Sequence, residues 1–150
     1  ERILDFLKGF PPFDALSQDQ LFAIASEVDV IYIEKDNFIF KQNEALQDAF
    51  YVVKAGAIGV FKDDKLVDKC DAGDIFGLRA LIRKDHYLLD ARAIEQSIIY
   101  AIPANVIEEV IINTQTDNQF LIASFATNTR KLSGDDNNGT LFANIVVSKH

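Results

Sequence analysis

The chain has 150 residues, 49% of them hydrophobic and twelve of them Phe, enough for one domain with a substantial core. Its formal net charge of −8, with Lys and Arg scattered along the chain, argues against nucleic acid as a partner. No apolar run approaches the ~20 residues of a membrane span. No basic-then-apolar leader pattern is present, and the single Cys70 excludes an internal disulfide framework, so a cytoplasmic location without a membrane partner is expected. A start at Glu1 is expected of a piece of a longer protein, and the absence of Met is expected either as chance or as a sign of missing residues.

Residues 1–7 carry Ile3, Leu4, Phe6 and Leu7, which predicts a short amphipathic helix ended by Gly9. Phe10 to Leu16 reads as an extended link, because Pro12 biases Pro11 away from helix. Ser17 with Gln20 three positions on forms a capping box, and Leu21, Phe22, Ile24 and Ala25 follow at helical spacing. From Val28 to Ile33 the period changes to two, which predicts a strand. Turns at Lys35-Asp36-Asn37 and Gln42-Asn43-Glu44 flank a second strand, Phe38-Ile39-Phe40. Asp36 and Asn43 belong to the types that best tolerate left-handed backbone angles after glycine. Further strands are expected at Phe50 to Lys54, Ile58 to Lys62 and Lys65 to Cys70, the last two joined by an Asp63-Asp64 turn. Short strands at regular spacing argue for a sandwich or barrel.

The next stretch, Asp71-Ala72-Gly73-Asp74-Ile75-Phe76-Gly77-Leu78-Arg79-Ala80-Leu81-Ile82, organises the chain. Two glycines bracket an apolar pair, and a short helix, Leu78 to Arg83, is expected to follow. Glycine allows close approach of another group. The unpaired N–H groups of a helix's first turn suit an anion. The stretch therefore reads as a phosphate cradle. Strands at Leu88 to Glu95 and Ser97 to Ile102 come next. Pro103 suits the first position of a helix whose apolar face is Val106, Ile107, Val110 and Ile111. Asp117 caps a second helix with the stripe Leu121, Phe125, Asn128 and Leu132, which either closes the core or packs on a partner. Residues 133–140 have linker composition, and Leu141 to Val147 is an apolar tail.

This order resembles the cyclic-nucleotide-binding domain family over roughly residues 10 to 132. The resemblance rests on Phe50-Tyr51-Val52-Val53 and Gly56, on the cassette Gly73-Asp74-Ile75-Phe76-Gly77 with Ala80-Leu81-Ile82, and on Ala93 and Ile102. It implies a mainly β fold with flanking helices: a double-stranded β-helix, or jelly roll, with short N-terminal helices and two C-terminal helices. The domain is expected over 1–132, and 133–150 as a linker or the start of a following domain. The Pro11-Pro12-Phe13 entry and the Tyr100-Ala101-Ile102-Pro103 exit resemble the N-terminal domains of bacterial signalling proteins that continue into CBS repeats and a nucleotidyltransferase region. The implied function is a non-catalytic sensor or regulatory domain. Its implied partners are downstream domains of the same chain and a second copy through the C-terminal helices. The alternative is a cAMP or cGMP sensor of a transcription regulator.

In ligand-binding members a Glu after the second cassette Gly takes the ribose hydroxyl, and a later Arg pairs with the cyclic phosphate. Here Leu78 holds the first position. Alignment puts Tyr87 in the second, with Leu88 after it. Losing both side chains removes roughly 2.5–4 kcal/mol, or about two to three decades of affinity. The pocket is expected to be formed by Gly73, Phe76, Gly77, Leu78, Arg79, Ala80, Tyr87 and Leu88. Leu78 and Leu88 are expected to offer apolar surface to the ligand, either a cyclic nucleotide or another small anion, and no cofactor is expected. Tyr87 stacks on a base or packs in the wall. Arg79, Arg83 and Arg92 are expected as solvated surface charges, with an inward Arg79 paired to phosphate as the alternative.

Other chemistry finds little support. His86 and Cys70 lack partners at metal-ligand spacing, and two His in all make a cupin-type metal enzyme improbable. Glu108-Glu109 and Asp135-Asp136 read as solvated, and no Gly-Lys-Ser/Thr phosphate loop for nucleoside triphosphates occurs.

Overall fold

A computed structural model describes residues 2–106. Helix α1 (Ile3–Leu7) and helix α2 (Gln18–Ala25) precede eight strands. The strands are β1 (Asp29–Ile33), β2 (Phe38–Phe40), β3 (Ala49–Ala55), β4 (Ile58–Lys62), β5 (Lys65–Cys70), β6 (Ile75–Phe76), β7 (Asp90–Ala93) and β8 (Ser97–Pro103), with α3 (Leu78–Arg83) between β6 and β7.

The strands form two four-stranded antiparallel sheets, ordered β1-β8-β3-β6 and β2-β7-β4-β5. The chain crosses repeatedly from one sheet to the other, so the fold is a jelly roll, as the family resemblance implied. Phe50, Val52, Val53, Ile58, Ile75, Ile99 and Ile102 all belong to the buried core. The unbroken apolar run of β3 matches a strand covered on both faces.

Local chemistry accounts for the joints. Ser17 and Gln20 satisfy each other's backbone N–H groups at 3.1 and 3.0 Å, the expected capping box. Asp36 and Asn43 both take left-handed angles (φ 73°). Asp63 and Asp64 both have positive φ, which matches the twist of a two-residue hairpin.

The sequence reading needs correction at several ends. The link after Gly9 is not extended throughout: Phe13–Ala15 forms a 3-10 turn, with a cis bond between Pro11 and Pro12. Strand β7 is shorter than Leu88 to Glu95, because Leu88 and Leu89 lie in the bend that leaves α3. Pro103 closes β8 and does not open a helix; Asn105 and Val106 are the first helical residues after it. The two expected C-terminal helices, the expected linker at 133–140 and the expected tail fall outside the described residues, as do Glu108-Glu109 and Asp135-Asp136.

Candidate functional site

The glycine-bounded stretch is held on β3 by backbone bonds. Gly73 N–H donates to Val53 O at 2.8 Å, and Val53 N–H donates to Asp74 O at 3.0 Å. The register continues with Val52 opposite Ile75 and Tyr51 opposite Phe76. The apolar pair is therefore a short strand, not part of a turn. Two residues are too few for the alternation that marks a strand in sequence.

Both bracketing glycines have positive φ, 92° at Gly73 and 80° at Gly77. Each also admits a close neighbour, and both neighbours are aromatic side chains of this chain. A Cβ on Gly73 would overlap the Phe10 ring. A Cβ on Gly77 would sit 3.1 Å from Tyr51 Cδ2 and 3.2 Å from Phe40 Cε2. Gly77 is also the N-cap of α3, with no side-chain cap hydrogen bond. The amides of the first turn of α3 are the backbone donors from which an anion cradle is built.

Around Gly77 stand four aromatic rings. Tyr87 stacks on Phe40 with centroids 3.8 Å apart, and Tyr51 stacks on Phe76 at 5.2 Å. Phe40 joins the two pairs, at 6.4 Å from Tyr51 and 6.2 Å from Phe76. The hydroxyls of both tyrosines meet Gln47. Tyr87 Oη accepts from Gln47 N–H at 3.1 Å, and Tyr51 Oη–H donates to Gln47 Oε1. Burial raises both phenols above their usual range, most strongly Tyr51.

Of the eight expected pocket residues, Phe76 and Tyr87 belong to this cluster and Gly77 abuts it, whereas Gly73 abuts Phe10, and Leu78 and Ala80 are buried in the core. Leu78 is 0% exposed and belongs to the core, so it does not present apolar surface to an open pocket. Leu88 is 39% exposed and lies outside the core. Tyr87 is 2% exposed and stacks on Phe40. The arginines depart from the solvated expectation. Arg79 is 5% exposed. Arg83 is half-buried and donates from Nη2 to His86 O at 2.6 Å, and burial lowers its pKa. Arg92 lies over the Phe61 ring at 4.2 Å and near Phe38 at 5.6 Å. Arginine's weakly hydrated plane favours such stacking over full solvation.

Phe40, Tyr51 and Gln47 were not singled out from the sequence as site residues. They sit on β2, on β3 and in the loop between them, and only the pairing of the sheets brings them to the cassette. Among the described residues no group of three His, Cys, Asp or Glu side chains is placed to hold a metal. Among them, too, no helix is long and apolar enough to cross a membrane.

Residues 30–114, more than half of the chain, match the cyclic nucleotide-binding domain family. The chain belongs to that family. It is 28% identical over 123 residues to a Drosophila melanogaster cGMP-dependent protein kinase, isozyme 2, a match that covers 78% of this chain but only 12% of the kinase. Among solved structures it resembles a cyclic nucleotide-binding protein from Geobacter metallireducens, with 26% identity and a TM-score of 0.72 over 84% of this chain and 94% of that one. The sensor domain of the transcriptional regulator DNR from Pseudomonas aeruginosa shares the fold, with 20% identity and a TM-score of 0.70 over 83% and 91% of the two chains. A domain of this family generally regulates and does not itself catalyse.

Proposed function

We propose that this domain is a non-catalytic regulatory module whose cassette does not hold a cyclic nucleotide in the family's usual way. One observation carries the reading. Tyr87, which aligns with the phosphate-pairing Arg, is buried flat against Phe40 with its hydroxyl tied to Gln47. A phenol offers no positive charge to a cyclic phosphate. Leu78, aligned with the ribose-binding Glu, is committed to the core. What remains of the cradle is its backbone and the buried Arg79 of α3, and Tyr51 and Phe40 close one side of it. The domain then acts as an interaction module or answers a different small anion. The resemblance of its entry and exit segments to bacterial signalling proteins supports a cytoplasmic setting, with CBS and nucleotidyltransferase regions downstream in the same polypeptide and self-association through the C-terminal helices.

The test is thermal melting with cAMP and with cGMP. A ligand that binds only the folded state raises the melting point in a saturable way. The expected result is no saturable shift up to millimolar nucleotide. Saturable stabilisation at micromolar cAMP or cGMP would restore the alternative, a cyclic-nucleotide sensor.

A further inference from the structure

Both tyrosines of the aromatic cluster end on one residue. Gln47 lies half-buried in the loop between β2 and β3, and every polar group of its side chain is used. Its Nε2 donates to Ile39 O on β2 at 2.8 Å, and its Oε1 accepts from Tyr51 on β3. Its backbone N–H donates to Tyr87 Oη in the segment that leaves α3. The same loop grips the Tyr87 backbone. Asn43 N–H donates to Tyr87 O at 2.7 Å, and Tyr87 N–H donates to Glu44 O at 3.2 Å. The side chain of Gln47 thus fastens β2 to Tyr51, and its backbone N–H holds the segment that leaves α3.

We propose that the Gln47 side chain is the pin that holds the 41–48 loop to β2 and Tyr51, and so keeps the backbone of that loop on Tyr87, so that the cassette opens by release of the loop. This rests on the reading of a filled cassette. The chemistry favours Gln at this position. One short side chain must donate to a backbone carbonyl and accept from a phenol, and only an amide of this length offers both. A Leu of similar volume offers neither, and a Glu keeps the acceptor but turns the donor into a charge facing a carbonyl. Loss of Gln47 removes two partly buried hydrogen bonds that join β2 to β3, while the core beneath stays packed.

Native-state hydrogen exchange on the full chain, wild type beside Gln47→Leu and Gln47→Glu, tests the pin. Amides of the 41–48 loop and Tyr87 report local opening, and Val60 and Phe61 in β4 report the whole roll. In Gln47→Leu the amides of Asn43, Tyr87 and position 47 are expected to exchange about tenfold to a hundredfold faster, the effect of two lost hydrogen bonds. Val60 and Phe61 are expected to exchange at the wild-type rate, and Gln47→Glu to fall between. Tyr87→Phe, which keeps the ring, should speed the position-47 amide more than that of Asn43. Unchanged exchange in both Gln47 variants would overturn the proposal. So would uniform acceleration that includes Val60 and Phe61, since Gln47 would then support the roll and not the cassette. Stabilisation of the wild type by cAMP would overturn the filled-cassette reading and leave the exchange comparison to be judged separately.

Discussion

Tyr87 lies flat on Phe40, with the ring planes 5° from parallel. The contact joins the last residue of β2 to the segment that leaves α3, and so closes the cassette against the sheet opposite to the one that carries it. Tyr87→Ala should cost about 3–5 kcal/mol, as large-to-small changes of buried aromatics do. Tyr87→Phe keeps the stacked ring and removes only the acceptor for Gln47 N–H, so it should cost about 1 kcal/mol. Urea unfolding of the two variants beside wild type measures both. A loss below 1 kcal/mol for Tyr87→Ala would mean that the ring is dispensable to the fold.

Leu78 offers a sharper distinction. In a domain with an open pocket, replacing the residue after Gly77 by Glu would rebuild the ribose contact at little cost. Here Leu78 is fully buried in the core. Leu78→Glu should therefore destabilise by about 3 kcal/mol or more, because a carboxyl taken into apolar surroundings loses its hydration. No nucleotide affinity should appear. A variant that melts like wild type, with or without bound nucleotide, would place Leu78 at a pocket wall.

The raised phenols predict a specific alkaline behaviour. An unfolded tyrosine loses its proton near pH 10, whereas folded Tyr51 and Tyr87 keep theirs to higher pH because burial disfavours the phenolate. Above about pH 10 the folded state then binds more protons than the unfolded state, so stability falls as pH rises. Below about pH 9 these two groups contribute no pH dependence. Melting points from pH 8 to 11 should drop more steeply for wild type than for Tyr51→Phe. Parallel curves would show that Tyr51 titrates like a free phenol.

Much of this was legible in the sequence, because local chemistry decides it. The Ser17–Gln20 cap, the left-handed Asp36 and Asn43 and the Asp63-Asp64 hairpin follow from residue type and spacing alone. A sandwich or barrel follows from short apolar runs set between such turns, and the jelly roll from the family resemblance. The site was legible only in part. Gly73 and Gly77 announce a backbone that must bend and admit a neighbour, but nothing in a glycine says whether that neighbour is a phosphate or a phenyl ring. Phe10, Phe40, Tyr51 and Gln47 reach the cassette through sheet pairing and through the fold-back of the N-terminal segment, and residues brought together in this way leave no spacing pattern. Arg79 misled for a related reason: arginines are usually exposed, and its burial comes with the packing of α3 on β3, which no spacing pattern announces.

The last prediction concerns the joint between the N-terminal segment and the cassette. Gly73 has φ 92°, and the place of its missing Cβ is taken by the Phe10 ring, which itself lies 4.9 Å from Phe6. Gly73→Ala should therefore suffer twice. The left-handed backbone costs an alanine roughly 1–2 kcal/mol, and displacing Phe10 adds about 1–3 kcal/mol of overpacking. Phe10→Ala alone loses only packing. In the double variant the overpacking cost vanishes while the backbone cost stays, so the pair should be less destabilised than the sum of the singles by about 1 kcal/mol or more. Strict additivity in a double-mutant cycle would mean that Phe10 yields freely, and that Gly73 is required for its backbone angle alone.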